Sequence, residues 1–506
     1  MSAEFINLAV LVAAGVLIAG VVVVRLSYHS SLPSLLWYLF IGLAIGEAGL
    51  GIRFDDVDLT RTVGTLLLAL ILVDGGLTTR WDTIRPIVSR SAVLATLGVL
   101  ITVAVTSAIA YALLGVDLRT AVLLGSVAAS TDAAATFSVL RKLPVKPTTR
   151  ATLEAESGFN DPPVIVIVTV VTSDAWLAPS PLAMAAIGSY QLLVGAAVGL
   201  ALGWVGAKLL GRSALPVSGL YPLGILSVAM LSFSLGGLLG ASGLMACYAA
   251  GLVLGNAAIP HLRTSRGFTD SASWLAQIGL FVMLGLLSSP ARLPAAIPTA
   301  LVIGVGLTFV ARPLAVALCL TPFRVPWREQ AFVAWAGLRG AVPIVLATIP
   351  LTMMLPSAPL IFDTVFLLVV VMTLVQGPLL PAVARWTGMI VPDADRELDV
   401  ESAPLEEAGV SLLKFEVRES SRLAGLDVGD LMLPSAVSVV MVLRDGQVIV
   451  PTRTTRLRTR DGLVVAAPDD AIASTQARLR AISRGGRLAR WHDLLHRSPT
   501  EPPPDA

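Results

Sequence analysis

Three carboxylates, Glu154, Glu156 and Asp161, stand with Ser157 and Asn160 inside the stretch Leu153-Glu154-Ala155-Glu156-Ser157-Gly158-Phe159-Asn160-Asp161-Pro162-Pro163, and an apolar run from Val164 to Val171 follows directly. Acidic side chains at the head of a membrane-length apolar segment are costly, and the chemistry they suggest is passage of an ion or a proton. At about 100° per residue, Glu154 shares a helix face with Asp161, and Glu156 shares another with Asn160. A carboxylate kept from bulk water is a poor bare anion, so it holds either a proton or a cation. That competition suffices for exchange, provided the empty charged form crosses poorly. One such carboxylate implies one-for-one, electroneutral exchange.

Three further polar interruptions break apolar runs. Asp74 lies in Leu70-Ile71-Leu72-Val73-Asp74-Gly75-Gly76-Leu77, near a span end. Ser130-Thr131-Asp132 lies mid-span among small residues, a composition that suits a broken helix whose freed carbonyls can bind a cation. Arg339 lies in Trp335-Ala336-Gly337-Leu338-Arg339-Gly340-Ala341-Val342-Pro343. Buried there, it needs a carboxylate, for which Glu154, Glu156 and Asp132 are candidates; at the start of its span it could instead snorkel to the surface.

These residues need a membrane scaffold, and the composition supplies one. Of 506 residues 55% are hydrophobic and 14% charged, with mean hydropathy +0.81, whereas soluble domains carry about 25% charged residues. Apolar segments of span length fall at roughly 5–25, 33–49, 61–79, 91–113, 118–140, 151–173, 185–209, 219–237, 239–256, 270–289, 295–320, 330–354 and 361–387, about thirteen in all. The first carries no basic leader before it and reads as a retained helix. Alternate loops concentrate basic residues (Arg25; Arg80, Arg85, Arg90; Arg141, Lys142, Lys146, Arg150; Lys208, Arg212; Arg263, Arg266; Arg324, Arg328), and the intervening ones hold only Arg53, Arg61, Arg119 and Arg292. The positive-inside rule then places the N-terminus outside and the C-terminus in the cytoplasm, with the cell (inner) membrane as the setting.

The composition changes near residue 388. Residues 391–407 are acidic and read as a linker. In 408–484, Ser411 to Val417 and Asp461 to Ala467 read as strands, Val437 to Leu443 with Gln447 to Val450 as a hairpin about an Asp-Gly turn, and Ala471 to Ile482 as a helix. The tail, 485–506, is basic and then Pro-rich and is expected to be poorly ordered. Cys247 and Cys319 lie in apolar segments as small core residues, and four scattered histidines argue against a metal-site enzyme. The net charge of +2 gives no reason to expect a nucleic-acid partner.

The ordered set of Thr131-Asp132, Glu156-Ser157 with Asn160-Asp161, Gly337-Leu338-Arg339-Gly340 and Val375-Gln376-Gly377 resembles the monovalent cation:proton antiporter family, in its NhaP and sodium/proton-exchanger branch, over roughly residues 5–390. The soluble end, with Leu433-Pro434, Arg444-Asp445-Gly446 and Val450-Pro451, looks like an RCK C-terminal (TrkA-C) domain, a combination similar to potassium/proton antiporters of the CvrA type. The resemblance implies an all-α polytopic bundle with inverted repeats, domain 1–390, joined to a small cytoplasmic α+β regulatory domain. It implies that Asp161 carries the cation or proton, that Asn160 supports it where electrogenic relatives have a second Asp, and that Thr131, Asp132 and Ser157 help build the site. The monovalent cation would be held chiefly by Asp161 and Thr131, Glu156 would pair with Arg339, and Asp74 would assist coordination. It further implies a homodimer in membrane lipid, transporting K+ or Na+ against H+ with no cofactor.

Competing classes fare worse. A cation channel with a regulatory domain would advertise a carbonyl-lined filter, and no such stretch occurs. An intramembrane enzyme would need a His-Glu-x-x-His, a paired-Asp pattern or a Ser/His pair, and none is apparent in the spans. The soluble domain lacks a Gly-x-Gly-x-x-Gly fingerprint, so a small regulatory ligand or a dimer contact is expected there and a dinucleotide is not. The transport motifs do not separate potassium from sodium.

Overall fold

The computed structural model describes residues 3–485, apart from 30–33, 48, 53, 55, 133–135, 137–139, 141–142, 144, 174–175, 177–180, 214, 391–399, 406–409, 419–420, 435, 445–446 and 469–470. The chain divides into two compact units, 1–390 and 391–506.

The first unit is helical: α1 (Ala3–His29), α2 (Ser34–Ile45), α3 (Val57–Thr78), α4 (Arg85–Leu114), α5 (Leu118–Ala129), α6 (Pro147–Phe159), α7 (Asp161–Thr172), α8 (Pro181–Arg212), α9 (Leu220–Leu238), α10 (Gly243–Gly255), α11 (Leu262–Leu287), α12 (Leu293–Phe323), α13 (Trp327–Ala336), α14 (Ala341–Thr352) and α15 (Ala358–Thr387). Among the described residues, six helices are individually long and apolar enough to cross a bilayer, and α13 with α14 make a seventh crossing if taken together. This is a multi-pass membrane domain. Each expected apolar segment overlaps one of these helices or a consecutive pair; in 118–140 the helix ends at Ala129, and 133–135 and 137–139 lie outside the described residues.

The breaks in the helices follow local chemistry. The segment 151–173, expected as one span, is two helices that meet at Asn160. Pro162 and Pro163 follow Asp161 in the first turn of α7, where a missing N–H leaves no helical bond unmade. Helices α4 and α12 each contain a π turn, at Leu94–Gly98 and Leu307–Ala311, which rephases every side chain beyond it. Asp117 caps α5 by accepting from Thr120 N–H at 3.1 Å. Helix α15 ends at Gly388, whose φ of +72° is the left-handed cap conformation.

The unit closes on itself beyond α15. Lys146 N–H donates to Met389 O at 3.1 Å, Val145 and Ile390 form an isolated antiparallel bridge, and Thr149 hydroxyl reaches Glu329 on α13 at 3.1 Å. The last residues of this unit therefore lie against the start of α6.

The second unit is α+β. Its five strands, β1 (Val400–Leu405), β2 (Val410–Glu416), β3 (Ser438–Arg444), β4 (Gln447–Ile449) and β5 (Gly462–Pro468), form one antiparallel sheet in the order β1-β2-β5-β3-β4, and α16 (Ile472–Gly485) follows. Leu413, Phe415 and Val417 alternate with polar residues and join Leu463, Val465, Leu479 and Ile482 in the core. One expectation is corrected: the stretch read as linker, 391–407, contains strand β1, which gains its place by pairing along β2. Its first part, 391–399, the Asp-Gly turn and the tail beyond 485 lie outside the described residues.

Candidate cation and proton site

The end of α5 meets the break between α13 and α14 inside the first unit. Helix α5 ends at Ala129, and Ser130 to Asp132 run on without helix. Helices α13 and α14 are bent by 53° across Gly337 to Gly340. Asp132 N–H donates to Leu338 O at 3.0 Å, and Asp132 Oδ2 accepts from Ala341 N–H, the first of α14, at 2.7 Å. In return Arg339 Nη1 donates to Ala129 O at 2.6 Å and to Ser130 O at 2.5 Å. A carboxylate thus meets the positive end of α14 and a guanidinium the negative end of α5, so each satisfies backbone groups that a broken helix leaves orphaned.

The glycines of this motif are spatial necessities. A Cβ on Gly340 would fall on the Asp132 carboxylate, and one on Gly337 would stand 2.9 Å from Arg312 Nε.

Asp161 stands at this crossing, 1% exposed, as the first residue of α7. Its Oδ1 accepts from Ser130 hydroxyl at 2.7 Å. Beside it, Asn160 donates its side-chain N–H to Thr131 Oγ1, and Thr131 and Ser157 hydroxyls are 3.2 Å apart. Asn160 Oδ1 is buried with no hydrogen-bond partner among the described residues. The cluster therefore offers a carboxylate, an amide oxygen and hydroxyls within one buried site. Such hard oxygen donors suit an alkali cation, and the carboxylate alternatively takes a proton. Among the described residues no group of three or more His, Cys, Asp or Glu could hold a metal ion.

The expected pairing of Glu156 with Arg339 is not the one formed. Glu156 is bidentate with Arg312 of α12, at 2.5 and 2.7 Å, both side chains being buried. Arg339, also buried, is engaged instead by the carbonyls that end α5. The reason lies in position along the fold. The π turn at Leu307–Ala311 immediately precedes Arg312, and Arg339 is drawn into the helix break of its own motif. Arg312, within the 295–320 span, is an arginine in an apolar run just as Arg339 is, and that is the signal by which the sequence reveals it.

The structure gathers Asp161, Asn160, Ser157 and Thr131 and adds Ser130 to them. Asp132 contributes by capping α14. Asp74 is buried on α3 but is not among the side chains hydrogen-bonded around Asp161. Glu154 is not among the side chains bonded around Asp161; it pairs with Arg150 at 2.8 Å. Gln376 is buried on α15, opposite Thr308.

A helix end and a helix break that meet beside a buried carboxylate, in a multi-pass helical unit followed by an α+β unit, define a membrane ion exchanger. The chain belongs to the sodium/hydrogen exchanger family: residues 11–386 match the family described as "Sodium/hydrogen exchanger, transmembrane", and residues 412–480 match the TrkA-C domain. It is 34% identical to the K(+)/H(+) antiporter NhaP of Alkalimonas amylolytica over 91% of this chain and 81% of that one. It is also 34% identical to the K(+)/H(+) antiporter NhaP2 of Shewanella sp. (strain ANA-3), over 93% and 83%. Its fold matches the solved sodium proton antiporter MjNhaP1 from Methanocaldococcus jannaschii with a TM-score of 0.67 and 25% identity, covering 75% of this chain and 98% of that one.

Proposed function

We propose that this protein exchanges potassium for protons across the inner membrane, one for one, by alternating access around Asp161. The observation that carries the reading is the buried carboxylate of Asp161, whose neighbour, Asn160, is neutral and offers an amide oxygen with no partner among the described residues. Bound cation and bound proton each bring one positive charge, so the loaded site has the same net charge in both directions. Rocking of one helix bundle against another would expose the site to each side in turn. We read the chain as a transporter and not an enzyme, needing no cofactor, working as a homodimer with its N-terminus outside and its C-terminal domain cytoplasmic, where that domain binds a small regulatory ligand.

The choice of potassium draws support from the names of the relatives, both K(+)/H(+) antiporters, and from the TrkA-C domain. Sodium is the second reading, favoured by the fold match to a sodium proton antiporter. The test is dissipation of a pH gradient in proteoliposomes, with potassium or sodium added in turn and Asp161→Asn as control. Potassium-driven dissipation absent from the variant is expected. Dissipation by sodium alone keeps the mechanism and overturns the ion. Equal responses of wild type and variant remove Asp161 from the mechanism.

A further inference from the structure

Arg119, in the first turn of α5, grips the far end of the helix that carries Asp161. Its Nε donates to Val171 O, and one Nη donates to both Thr172 O and Ser173 O, all three at 2.9 Å. These are the carbonyls that end α7, where the chain leaves the helix at Ser173 and no further helical N–H arrives. The guanidinium also matches the negative end of the helix dipole, and its planar fork reaches three acceptors where an ammonium is a point charge.

The other end of α7 is held by the other end of the same partner. Ser130, just past the end of α5, bonds Asp161, the first residue of α7. Helices α5 and α7 are both 12 residues, about 18 Å each, run antiparallel and are pinned together at both tips. The Arg119 end is itself anchored. Thr120 hydroxyl is bonded to Asp117, 2.6 Å away, and to Ser357 before α15, 2.8 Å away. Sliding or rotation of α7 along α5 would carry Asp161 away from Ser130 and Thr131, and Arg119 resists that displacement through three bonds at once.

On the reading that Asp161 binds the transported cation, we propose that Arg119 is a positioning residue that sets the register of α7 on α5, and so the affinity of the Asp161 site, from the opposite end of the helix. Its removal weakens cation binding more than it slows turnover of the bound cation.

The experiment compares wild type, Arg119→Gln, Arg119→Lys and Arg61→Gln. Arg61 is exposed, bonds Thr352 and belongs to the same set of sparsely basic loops, so it controls for loss of a positive charge on that side. Two readouts are taken: the half-saturating potassium concentration for exchange in proteoliposomes, and the potassium concentration giving half the thermal stabilisation of the purified full-length protein. For Arg119→Gln both are expected to rise about fivefold or more, with the maximal exchange rate per folded protein within about twofold. Arg119→Lys falls between, and Arg61→Gln stays at wild type. Unchanged half-saturation in Arg119→Gln, or in Arg119→Lys where the glutamine variant does not fold, overturns the proposal even if yield falls. Equal rises in Arg61→Gln overturn it too, in favour of a general charge effect. The stabilisation readout does not require transport, so a wild type that binds potassium without exchanging it counts against the antiporter reading and leaves the positioning role measurable.

Discussion

Asp132 and Arg339 each complete the helix that the other's segment breaks. The carboxylate accepts the first N–H of α14, and the guanidinium donates to the closing carbonyls of α5, at 2.7 Å and at 2.6 and 2.5 Å respectively. The two side chains thereby stabilise one crossing from opposite directions. Arg339→Ala leaves buried carbonyls unsatisfied and is expected to cost about 3 kcal/mol. Asp132→Ala should cost a comparable amount, and the double variant clearly less than the sum, since either change opens the same junction. Thermal melts in detergent measure this. Additivity within about 0.5 kcal/mol would mean the two caps are independent.

The Glu156–Arg312 pair makes a sharper prediction, because it discriminates between two arginines. Removing one partner of a buried pair leaves a bare charge and costs about 3–5 kcal/mol. Glu156→Ala and Arg312→Ala should each destabilise strongly, while Glu156→Ala with Arg312→Ala together should recover part of the loss. Glu156→Ala with Arg339→Ala should recover none. Recovery in that second double variant, read from the same melts, would restore the pairing expected from the sequence.

Gly340→Ala tests the crossing by volume alone. The added methyl occupies the place of the Asp132 carboxylate, so α14 loses its cap and the two breaks move apart. Loss of most exchange activity, with a melting temperature lowered as in Asp132→Ala, is expected. Wild-type exchange in Gly340→Ala would show that the close approach is unnecessary.

In the soluble unit, burial of Asp461 by itself would raise its pKa. The Arg444 hydrogen bonds, the Arg458 N–H and the charges of both arginines outweigh burial and hold the carboxyl below its ordinary value of 3.8. A group depressed on folding stabilises the fold above its unfolded pKa, and that contribution is lost as pH falls through the folded pKa. Hydrogen exchange along β5 in the full-length protein should therefore be faster in Arg444→Gln than in wild type near neutral pH. The difference should shrink as pH drops below about 3.8. A difference independent of pH would assign the arginine a packing role only.

Residue type in an apolar setting made much of the site legible. Asp161, Asn160, Ser157 and Thr131 stood out because polar groups are rare in such runs, and they do converge. Spacing alone did not tell which acids reach the site: Glu154 is taken up by Arg150 one turn before it, while Asp161 meets Ser130. The prolines at 162 and 163 are the local sign of the new helix start at Asp161. Arg312 was hidden for a related reason: the π turn before it shifts its phase, and no periodic pattern predicts which of two arginines will face Glu156. Among strands, β1 was illegible because Val400–Leu405 has no strand pattern of its own and gains its place by pairing with β2.

The bridge between Val145 and Ile390 gives the molecule a load path. Ile390 and Met389, the last residues of the first unit, are fastened to Val145 and Lys146, which lead into α6, and α6 is about 20 Å of helix that carries Glu156 and Ser157 at its other end and is capped by Asn160, so the end of this unit and the surroundings of Asp161 share one helix.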